Sequence, residues 1–461
     1  MNVQQLYTKC LAQGAYFISN KGEAIVIDPL REVDQYIELA KANNSTIKYI
    51  FETHFHADFV SGHVDLARKT GAEIVYGPTA QPSFDCLIGE DNQEFKVGDL
   101  TIKLLHTPGH TPESSCFLLL DENGKETAIF TGDTLFLGDV GRPDLAIKSD
   151  LTQEDLAGML YDSLRNRIMP LSDEIIVYPG HGAGSACGKS MSNDTQDLLG
   201  NQKKTNYALR ADMTKEEFIT EVTTGILPPP QYFPKNAAMN KTGYDSIDEV
   251  IGRGTQALSL DAFIDEIANG ALILDVRSQA EFINGFIPGS LFIGLNGQFA
   301  MWVGAIIQDI KQRIVLITPE GKEEETVTRL ARVGYDHTVG YLKGGVAAWD
   351  GKLTTITSVS AEEVAQTEGC TIVDVRKPGE YQSEHVENAI FYPLDYMNDE
   401  LNKLDKNTTY HVHCAGGYRS VIAISLLMRN GYTNLIDIAG GYGALKNTSI
   451  PKTDYVCPST L

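Results

Sequence analysis

The chain lacks a long apolar run and is poor in basic residues. No segment approaches the ~20 consecutive apolar residues that span a bilayer, and the first residues, MNVQQLYTKCLAQG, contain neither the basic nor the apolar segment of a secretory signal. The 461 residues include 61 acidic and 38 basic ones, which gives a formal net charge of -23. Such a charge repels nucleic acids and anionic membranes, so we expect a cytoplasmic protein that binds neither. Anionic substrates would need local positive charge from a metal or from arginines.

Cysteine is also sparse. The seven cysteines, an odd number without paired spacing, stand at positions 10, 86, 116, 187, 370, 414 and 457. Disulfide-stapled secreted domains are usually short and carry an even number of closely spaced cysteines. The pattern therefore favours free thiols in a reducing compartment, one of which can be reactive.

The length and the order of sequence patterns predict three folded domains. A chain of 461 residues is too long for one ordinary core, and its 42% of hydrophobic residues is typical of globular protein. Residues 1–200 alternate short strands with turns and helical segments, which indicates an α/β domain with a strongly β centre. The proline-rich segment LPPPQYFPKNAAMN, residues 227–240, is predicted to be a tail or linker.

The last two hundred residues contain an internal repeat. LDVRSQAEFINGFIPGSLFIGL at 274–295 is similar to VDVRKPGEYQSEHVENAIFYPL at 373–394, and YLKGGVAAWDG at 341–351 is similar to DIAGGYGALKN at 437–447. Each copy alternates strands and helices. The repeat predicts two small parallel-sheet α/β domains, over residues 250–354 and 355–461.

Histidines and aspartates cluster where predicted strands of the first domain end. His54, His56 and Asp58 lie in ETHFHADFVSGH, and the segments HTPGH, TGD and YPGH end in His110, Asp133 and His181. Each of those three follows a β-rich run and a glycine, where a tight turn can aim the side chain inward. We therefore predict that four strand ends converge on a metal site. Imidazole and carboxylate together suit Zn, Fe or Mn better than Ca or Mg.

The motifs THFHAD, HTPGH, TGD and YPGHG, in this order, resemble those of the metallo-β-lactamase fold. This resemblance implies that residues 1–245 form a four-layer αββα sandwich with a metal site at one edge. Binuclear members of that superfamily typically read HxHxDH, whereas this chain has Phe59 at the last position. A phenyl ring has no lone pair for a cation, so the second metal is expected to be weak or absent.

Within that superfamily, THFHADFVSGH, HTPGHTPESSC, FTGDTLFLGDVGRPDL and YPGHG resemble segments of the persulfide dioxygenases. The resemblance implies one Fe(II) per chain, held by His54, His110 and Asp133, with open positions for O2 and a low-molecular-weight thiol persulfide. It gives outer-shell or alternative ligand roles to His56, Asp58 and His181.

Two further side chains in these segments have alternative roles. Arg142 either supplies the positive charge that an anionic persulfide needs or pairs with Asp139 or Asp144. Cys187 either relays sulfur or is a buried, inert thiol.

A second reactive centre is predicted in the last domain. The strand TYHVH leads into C414AGGYRS and then into a helical run, which places Cys414 over a helix N-terminus near Arg419. Backbone amides and a cation there stabilise a thiolate or persulfide. CAGGYRS is similar to the rhodanese active-site loop, which implies that Cys414 carries sulfur with Arg419 as a second catalytic residue. The substrate would contact Gly416, Gly417 and Ser420.

The first copy of the repeat is predicted to be inactive. Aligning the Gly-Tyr pair at 334–335 with that at 431–432 places Ile317 opposite Cys414 and Lys322 opposite Arg419. No nucleophile remains, so residues 250–354 are expected to be a rhodanese-like spacer or docking domain. Both copies retain an Asp and an Arg in DVR, which predicts a structural ion pair in each, Asp275 with Arg277 and Asp374 with Arg376.

These features favour a persulfide dioxygenase fused to a sulfurtransferase, an arrangement that resembles bacterial sulfide-detoxification fusions. The expected partners are a thiol persulfide, O2, and sulfite or thiosulfate, and a homo-oligomer is expected. One alternative is a Zn-dependent thioester hydrolase of the glyoxalase II type fused to a sulfurtransferase. Another is a sulfur carrier or scaffold whose first site is vestigial. The sequence names neither the thiol nor the direction of sulfur transfer.

Overall fold

The structure, a computed structural model, describes residues 2–147, 151–189 and 191–457. Residue 1 and residues 458–461, the ends of the predicted first and third domains, lie outside the described ranges. The chain divides into two compact units. The first comprises Met1–Asp248 with Leu330–Gly334, and the second comprises Glu249–Arg329 with Tyr335–Leu461.

The first unit contains two six-stranded sheets. One has the strand order β1-β2-β3-β4-β5-β6 and the other β12-β11-β10-β9-β8-β7. The strands are β1 (Asn2–Thr8), β2 (Gln13–Asn20), β3 (Glu23–Ile27), β4 (Thr46–Phe51), β5 (Glu73–Tyr76), β6 (Leu87–Ile88), β7 (Glu94–Val97), β8 (Leu100–His106), β9 (Ser115–Leu120), β10 (Glu126–Gly132), β11 (Ile176–Pro179) and β12 (Asp197–Leu198). The helices are α1 (Asp34–Ala42), α2 (His63–Thr70), α3 (Gln153–Ser163), α4 (Leu199–Thr205), α5 (Lys215–Thr223) and α6 (Phe233–Thr242).

Three apolar layers hold these sheets and helices together. Aromatic side chains of both sheets, among them Phe51 and Phe117, interlock between the sheets, and their ring centroids are 4.7 Å apart. Tyr36 of α1 packs on the outer face of the first sheet, and Leu160 of α3 packs on the outer face of the second. Sheets covered on both faces explain the nearly continuous apolar strands in the sequence. The predicted αββα sandwich is confirmed.

The proline-rich segment is not a tail or linker, and that prediction was wrong. Its second half forms α6, which begins at Phe233 with Pro234 in the first turn. Proline is tolerated there because the first N–H groups of a helix have no intrahelical acceptor. Asn240 of α6 is fully buried and donates hydrogen bonds to the carbonyls of His56 and Phe59, 2.7 and 2.8 Å away. The segment therefore supports the loop that carries the first histidine cluster.

The second unit contains two parallel five-stranded sheets of identical topology. Their strand orders are β13-β17-β16-β14-β15 and β18-β22-β21-β19-β20. The strands are β13 (Ala257–Leu258), β14 (Leu272–Asp275), β15 (Leu291–Phe292), β16 (Ile314–Ile317), β17 (Thr338–Leu342), β18 (Thr357–Val359), β19 (Thr371–Asp374), β20 (Ile390–Phe391), β21 (Tyr410–His413) and β22 (Leu435–Ile438). The repeat in the sequence is thus a repeat of two rhodanese-like folds, as predicted.

Helices flank both of these sheets. They are α8 (Leu260–Ala268), α9 (Gln279–Asn284), α10 (Phe299–Ile306), α11 (Glu323–Ala331), α12 (Ala361–Gln366), α13 (Pro378–Ser383), α14 (Tyr418–Arg429) and α15 (Gly441–Leu445), and α7 (Ile247–Gly254) precedes them. Among the described residues, no helix is both long and apolar enough to cross a membrane.

Strand pairing corrects the alignment of the two repeats by one residue. Ile317 pairs with Asp275 in the first sheet, and His413 pairs with Asp374 in the second. Ile317 therefore corresponds to His413, and Thr318 stands opposite Cys414. The prediction of Ile317 was wrong because the loop and helix before the Gly-Tyr pair are one residue shorter in the first repeat. The nucleophilic thiol is still absent from that position.

Each repeat contains the predicted ion pair of its DVR motif. Arg277 lies 2.6 Å from Asp275 and donates to the carbonyl of Gly285, 2.9 Å away. Arg376 lies 2.6 Å from Asp374 and donates to the carbonyl of Glu384, 2.8 Å away. Both aspartates are fully buried, so each pair fixes the end of a central strand.

Candidate metal centre and sulfur-carrying loop

Four strand ends of the first unit bring the predicted metal ligands together. The loops after β4, β8, β10 and β11 carry these side chains, and β10 and β11 are parallel neighbours whose carboxyl ends coincide. All six of the side chains are at most 6% exposed, namely His54, His56, Asp58, His110, Asp133 and His181. Their donor atoms form several groups of three, within each of which all lie within 4.8 Å of one another.

Glycine is required at two of the turns. Gly132 precedes Asp133 and has a φ of 48°, in the left-handed region. A Cβ atom at Gly132 would lie 2.5 Å from the hydroxyl oxygen of Thr53. A Cβ atom at Gly180, before His181, would lie 2.7 Å from Oδ1 of Asp133. These close approaches explain why glycine stands beside the candidate ligands.

His54, His110 and Asp133 form a compact group of two imidazoles and one carboxylate. Oδ2 of Asp133 lies 3.5 Å from Nε2 of His110 and 4.0 Å from Nε2 of His54. Burial, and then the neighbouring imidazoles with His56 foremost, lower the pKa of His54 well below its usual value. A neutral imidazole is the form that binds a metal.

Hydrogen bonds on the other ring nitrogens select the tautomers of these histidines. Nδ1 of His110 lies 2.8 Å from the carbonyl oxygen of Arg142, which can only accept, so Nδ1 carries the proton. The hydroxyl of Thr53 donates to Asp28 and accepts from Nδ1 of His54, 3.0 Å away. Both Nε2 lone pairs are therefore free to face the centre, as in metal-bound histidines.

His56 is turned toward a different carboxylate pair. Its Nε2 lies 3.1 Å from Asp28 and 3.5 Å from Glu52. Burial lowers the pKa of His56, but the Asp28 and Glu52 carboxylates outweigh burial and raise it to about 9. Burial raises the pKa of Glu52 well above its usual value. A ring nitrogen of His56 also lies within 4.8 Å of donor atoms of Asp58 and His181, so His56 belongs to other candidate ligand groups than His110 does.

The second oxygen of Asp133 faces His181. Nε2 of His181 lies 3.6 Å from Oδ1 of Asp133 and 3.4 Å from Oδ2 of Asp58. Burial raises the pKa of Asp58. Neither ring nitrogen of His181 and neither oxygen of Asp133 has a hydrogen-bond partner among the described residues. Buried polar atoms without partners are costly, so the donor set fits bound cations.

Cys187 lies at this same edge of the cluster. Its sulfur, the imidazole of His181 and a carboxylate oxygen of Asp133 are all within 4.8 Å of one another. The side chain is 1% exposed, and burial, followed by the Asp58 and Asp133 carboxylates, raises the pKa of its thiol well above the usual value. The structure agrees with the predicted burial of Cys187. The sequence did not predict its position beside Asp133.

Arg142 is engaged by Asp144. Nε and Nη2 of Arg142 lie 2.6 and 2.7 Å from the Asp144 carboxylate. Nη1 donates to the carbonyl of Ala186, and Nη2 also donates to that of Leu227. Of the two predicted roles, the Arg–Asp pair is the one present. The contribution of Arg142 to the metal centre comes from its backbone carbonyl, which orients His110.

A cavity of about 400 Å3 opens beside His110. Its walls are largely apolar and include Phe55, Pro112 and the alanines of α6, and Lys241 of α6 brings a positive charge. The carboxylate of Glu113, also in the wall, accepts the backbone N–H of Phe55. Sequence reasoning missed Asp28, Thr53 and the cavity-facing side of α6. Asp28 alone had a usable signal, since it ends the strand AIVIDP.

The sulfur-carrying loop of the second unit lies at the carboxyl end of β21. Cys414 is 1% exposed, and its sulfur accepts a hydrogen bond from the backbone N–H of Gly417, 3.1 Å away. Gly417 has a φ of 107°, which glycine adopts readily. The Cys414 thiol can donate weakly to the hydroxyl oxygen of Ser420, 3.9 Å away, and that hydroxyl donates to Asp437, 2.7 Å away. The loop thus directs one backbone amide, that of Gly417, at the sulfur.

Arg419 forms a bidentate ion pair with Glu380 of α13. Its two terminal nitrogens lie 2.6 and 2.8 Å from the Glu380 carboxylate. Burial raises the pKa of Glu380, but the hydrogen bonds and charge of Arg419 outweigh burial and hold it below its usual value. The Arg419 cation that the sequence predicts near Cys414 is thus paired with a carboxylate. Glu380 was missed.

A cavity of about 470 Å3 covers Cys414. Gly416, Lys377, Glu380 and Arg419 line it from the second repeat, and Trp302 with Gln298 lines it from the first repeat. Both repeats belong to the second unit. The first repeat therefore forms part of the wall of the cavity beside Cys414.

Comparison with known proteins agrees with this architecture. The family model of the metallo-beta-lactamase superfamily matches residues 9–85, and that of the rhodanese-like domain matches residues 259–352 and 360–448. A metallo-beta-lactamase from Staphylococcus aureus subsp. aureus COL, known from a crystal structure, is 32% identical. The similarity covers 74% of this chain and 99% of that one, with a TM-score of 0.66. The chain belongs to the metallo-beta-lactamase superfamily.

Hydroxyacylglutathione hydrolases are similar to a shorter part of the chain. A hydroxyacylglutathione hydrolase from Pelagibacter ubique is 32% identical over 38% of this chain and 68% of its own length. Hydroxyacylglutathione hydrolase GloC from Haemophilus influenzae is 27% identical over 41% of this chain and 94% of its own length. Further hydrolases of that name are matched over about three fifths of their length.

Proposed function

We propose that the chain is an Fe(II)-dependent persulfide dioxygenase joined to a sulfurtransferase. The observation that carries this proposal is the compact group of His54, His110 and Asp133, whose donor atoms all lie within 4.8 Å of one another, while Nε2 of His56 lies 3.1 Å from Asp28. Two histidines and one carboxylate on one side of a metal, with open positions opposite, are typical of non-haem Fe(II) oxygenases. Ferrous iron held there would supply the activation of O2.

The protein groups around the metal would orient it and position the substrate. The Arg142 carbonyl and the Thr53 hydroxyl hold the two imidazoles with Nε2 inward. The cavity beside His110 is large enough for a small thiol, and Lys241 can pair with an anionic group of its body. The proposed substrate is a low-molecular-weight thiol persulfide, RSSH. The overall reaction proposed for the first unit is RSSH + O2 + H2O → RSH + sulfite (2−) + 2 H+.

The second unit would then use Cys414 to move sulfane sulfur. Attack of the Cys414 thiolate on a persulfide RSSH forms a sulfur–sulfur bond, breaks the one in the donor and releases RS−. The Gly417 amide already points at the sulfur that would carry the charge. Transfer of that outer sulfur to sulfite would give thiosulfate and regenerate the Cys414 thiolate. This step would consume the product of the first unit.

A second candidate function is hydrolysis of a glutathione thioester with zinc in place of iron. The hydroxyacylglutathione hydrolases that resemble the first unit support it. It would require His56 to leave Asp28 and join His54 and His110, because catalytic zinc commonly has three protein ligands including several histidines.

Metal analysis and O2 uptake distinguish the two functions. Full-length protein is purified without oxygen, its iron and zinc are measured, and O2 consumption is followed with persulfides of glutathione, cysteine, coenzyme A and bacillithiol. We expect iron, persulfide-dependent O2 uptake, and a loss of more than ~100-fold in His110→Ala, beyond the effect of losing an outer-shell group. Bound zinc with turnover of a glutathione thioester and no O2 uptake would refute the dioxygenase.

A further inference from the structure

We propose that Cys414, Ser420 and Asp437 form a buried proton relay, in which Asp437 takes up the proton of the Cys414 thiol through the Ser420 hydroxyl. The Cys414 thiol can donate to Oγ of Ser420, 3.9 Å away, and Oγ donates to Oδ1 of Asp437, 2.7 Å away. A cysteine attacks sulfur as its thiolate, so the proton has to leave first. This inference rests on the sulfurtransferase half of the proposed function.

The surroundings of Cys414 give its thiolate little other support. The described part of the chain donates one hydrogen bond to the sulfur, from the backbone N–H of Gly417, 3.1 Å away. The positive charge of Arg419 is shared with Glu380 through two hydrogen bonds. Cys414 is 1% exposed, which leaves bulk water little access to its proton. An internal base would therefore raise the fraction of thiolate.

Asp437 of β22 is suited to be that base. Its side chain is 1% exposed, and burial raises the pKa of Asp437, although hydrogen bonds from Ser420 and Ser358 act in the opposite direction. The two partners are neutral hydroxyls, Ser420 on Oδ1 and Ser358 on Oδ2, 3.0 Å away. A buried carboxylate that only hydroxyls solvate accepts a proton more readily than one in water.

The Ser420 hydroxyl links the thiol to the carboxylate. Ser420 lies in the first turn of α14 and is fully buried. Its oxygen also lies 2.8 Å from the carbonyl of Gly417, but its single proton goes to Asp437, because a hydrogen bond to an ionised acceptor is the stronger one. In the relay this proton passes to Oδ1 while the Cys414 proton passes to Oγ. One proton thus moves from sulfur to carboxylate, and the total charge is unchanged.

The first repeat, which has no thiol at this position, also lacks the carboxylate. Asp437 pairs with Ser358 in the second sheet, and Tyr341 pairs with Ala257 at the same place in the first sheet. Tyr341 therefore stands where Asp437 stands in the second repeat. The aspartates of the DVR motifs, which build the fold, are present in both repeats. Loss of a carboxylate together with the thiol is expected if that carboxylate serves the thiol.

The other charged or titratable groups lie around the sulfur and not around Asp437. They are Lys377, Glu380 and Arg419 in the cavity wall, and His413 next to Cys414 in the chain. Nδ1 of His413 lies 3.2 Å from the carbonyl of Cys414, and burial lowers the pKa of this imidazole. None of these groups changes in the variants below, so a change in the pH dependence reports the relay.

The pH dependence of Cys414 alkylation tests the relay. Full-length protein is treated with iodoacetamide, which is uncharged and reacts with thiolates, and mass spectrometry of the Cys414 peptide follows this thiol alone. In the parent, thiolate forms at the expense of Asp437, so alkylation should persist at pH ~6, below the ordinary thiol range near ~8.5. Asp437→Asn and Ser420→Ala should each lower the rate at pH ~6 by at least ~10-fold, since positioned acid–base groups contribute about 100-fold or more. The rates should converge above pH ~9, where thiols ionise without help.

The sign of the effect separates a relay from other roles of Asp437. A carboxylate that acts only through its charge disfavours a nearby thiolate, so its removal would raise the rate at low pH. A carboxylate that only holds the fold would change the rate equally at low and high pH. The Asp437→Asn, Ser420→Ala double variant should react like either single variant, because one broken link interrupts the relay.

Ser358→Ala is the matched control. It removes the other hydroxyl from Asp437 and leaves the link to Ser420 in place. This variant should keep the low-pH rate or increase it, because Asp437 then loses a hydrogen bond that favours its ionised form.

Three results would overturn the proposal. They are a low-pH rate in Asp437→Asn that equals or exceeds that of the parent, an equal loss at low and high pH, and a loss of the same size in Ser358→Ala. If Asp437→Asn does not fold, as judged by circular dichroism, Ser420→Ala decides by the same criteria. No readout depends on sulfur transfer. A working relay without transfer from any persulfide would therefore refute the proposed sulfurtransferase and leave the relay standing.

Discussion

Glu380 determines what Arg419 can do beside the sulfur-carrying cysteine. The bidentate pair neutralises a charge that would otherwise face Cys414, and the Glu380 side chain is 36% exposed at the cavity wall. An incoming dianion such as sulfite must therefore compete with a carboxylate for Arg419. Lys377, which lines the same cavity, offers a second positive charge.

The Glu380–Arg419 pair predicts a pH-dependent contribution to stability. Arg419 holds the pKa of Glu380 below its usual value of about 4.3, so the contribution is present above pH ~4.3 and is lost as pH falls through the depressed pKa. Glu380→Gln should lower the free energy of unfolding at pH 7 by up to about 1 kcal/mol, since the pair is partly exposed. The difference from the parent should disappear once the pH lies below the depressed pKa of Glu380.

Tryptophan fluorescence during urea unfolding measures this effect. The two tryptophans of the chain, Trp302 and Trp349, both belong to the second unit. Glu387→Gln serves as the control, because Glu387 is exposed and its side chain has no hydrogen-bond or ion-pair partner among the described residues. A Glu380→Gln difference that stays constant from pH 7 to below the depressed pKa of Glu380 would contradict the role of the pair.

At the scale of elements, α6 joins the candidate metal centre to the substrate cavity. Asn240 accepts the N–H of Ser61, 2.8 Å away, and donates to the carbonyls of His56 and Phe59. Lys241, the next residue, lines the cavity beside His110. One turn of helix therefore braces the ligand loop and shapes the substrate site.

Replacing Asn240 by leucine tests that bracing. Three buried backbone groups would lose their partners, at about 1–3 kcal/mol for each group that stays unpaired. We expect faster deuterium exchange in peptides that contain Ser61 and a metal affinity lower by ~10–100-fold, the usual effect of losing an outer-shell group. Mass spectrometry and competition with a chelator measure the two quantities.

Asn236 provides a matched control for Asn240. It lies one turn earlier in α6 and is equally buried, but neither of its amide atoms has a hydrogen-bond partner among the described residues. Asn236→Leu should leave exchange at Ser61 and metal affinity unchanged. Equal effects of the two substitutions would mean that α6 acts only by filling space.

The strand ends were predictable from sequence, whereas α6 was not. An apolar strand runs almost directly into His54, and a β-rich run with a glycine precedes each of His110, Asp133 and His181. Strands that run in the same direction end at the same edge of a sheet, which is where these side chains lie. The prolines of residues 227–234 conceal a helix, because a proline in the first turn looks the same in sequence as one in a linker. Cys187 had no periodic pattern that could place it, since its position depends on a long-range backbone bond to Arg142.

At the scale of the whole chain, the two repeats are not interchangeable copies placed in series. The hydroxyl of Tyr418, at the start of α14, donates to the carbonyl of Gly294 in the first repeat, 2.7 Å away. Gly297 leaves room for the Tyr418 ring, and a Cβ atom there would lie 2.3 Å from it. The first repeat thus supports the loop of Cys414. The sequence predicts that the first repeat is a spacer or docking domain, and the structure adds its contact with Tyr418.

Gly297→Ala, a substitution in the first repeat, should therefore impair sulfur transfer at Cys414 in the second repeat. The added methyl group would push Tyr418, and with it the loop after Cys414, out of position. We expect kcat/KM for sulfur transfer from thiosulfate to cyanide to fall by roughly 10–100-fold, as small displacements of catalytic groups do. Persulfide-dependent O2 uptake, which uses the first unit, should be unchanged.

Gly379→Ala is the control for that substitution. Among the described residues, no atom apart from its chain neighbours and the backbone of its own helix lies within 4 Å of a Cβ atom at Gly379, and its backbone is not in the left-handed region. Sulfur transfer in this variant should equal that of the parent protein. Normal transfer in Gly297→Ala would show that the first repeat does not position the loop.

The two DVR motifs allow the two repeats of this chain to be compared with each other. Arg277 and Arg376 make the same contacts with their aspartates and with a carbonyl of the next turn, although one repeat has Thr318 where the other has Cys414. Contacts that both repeats make are needed to build the fold. The difference between the repeats at this loop, Thr318 against Cys414, concerns the proposed sulfur chemistry. A comparison within one polypeptide can thus distinguish architecture from catalysis.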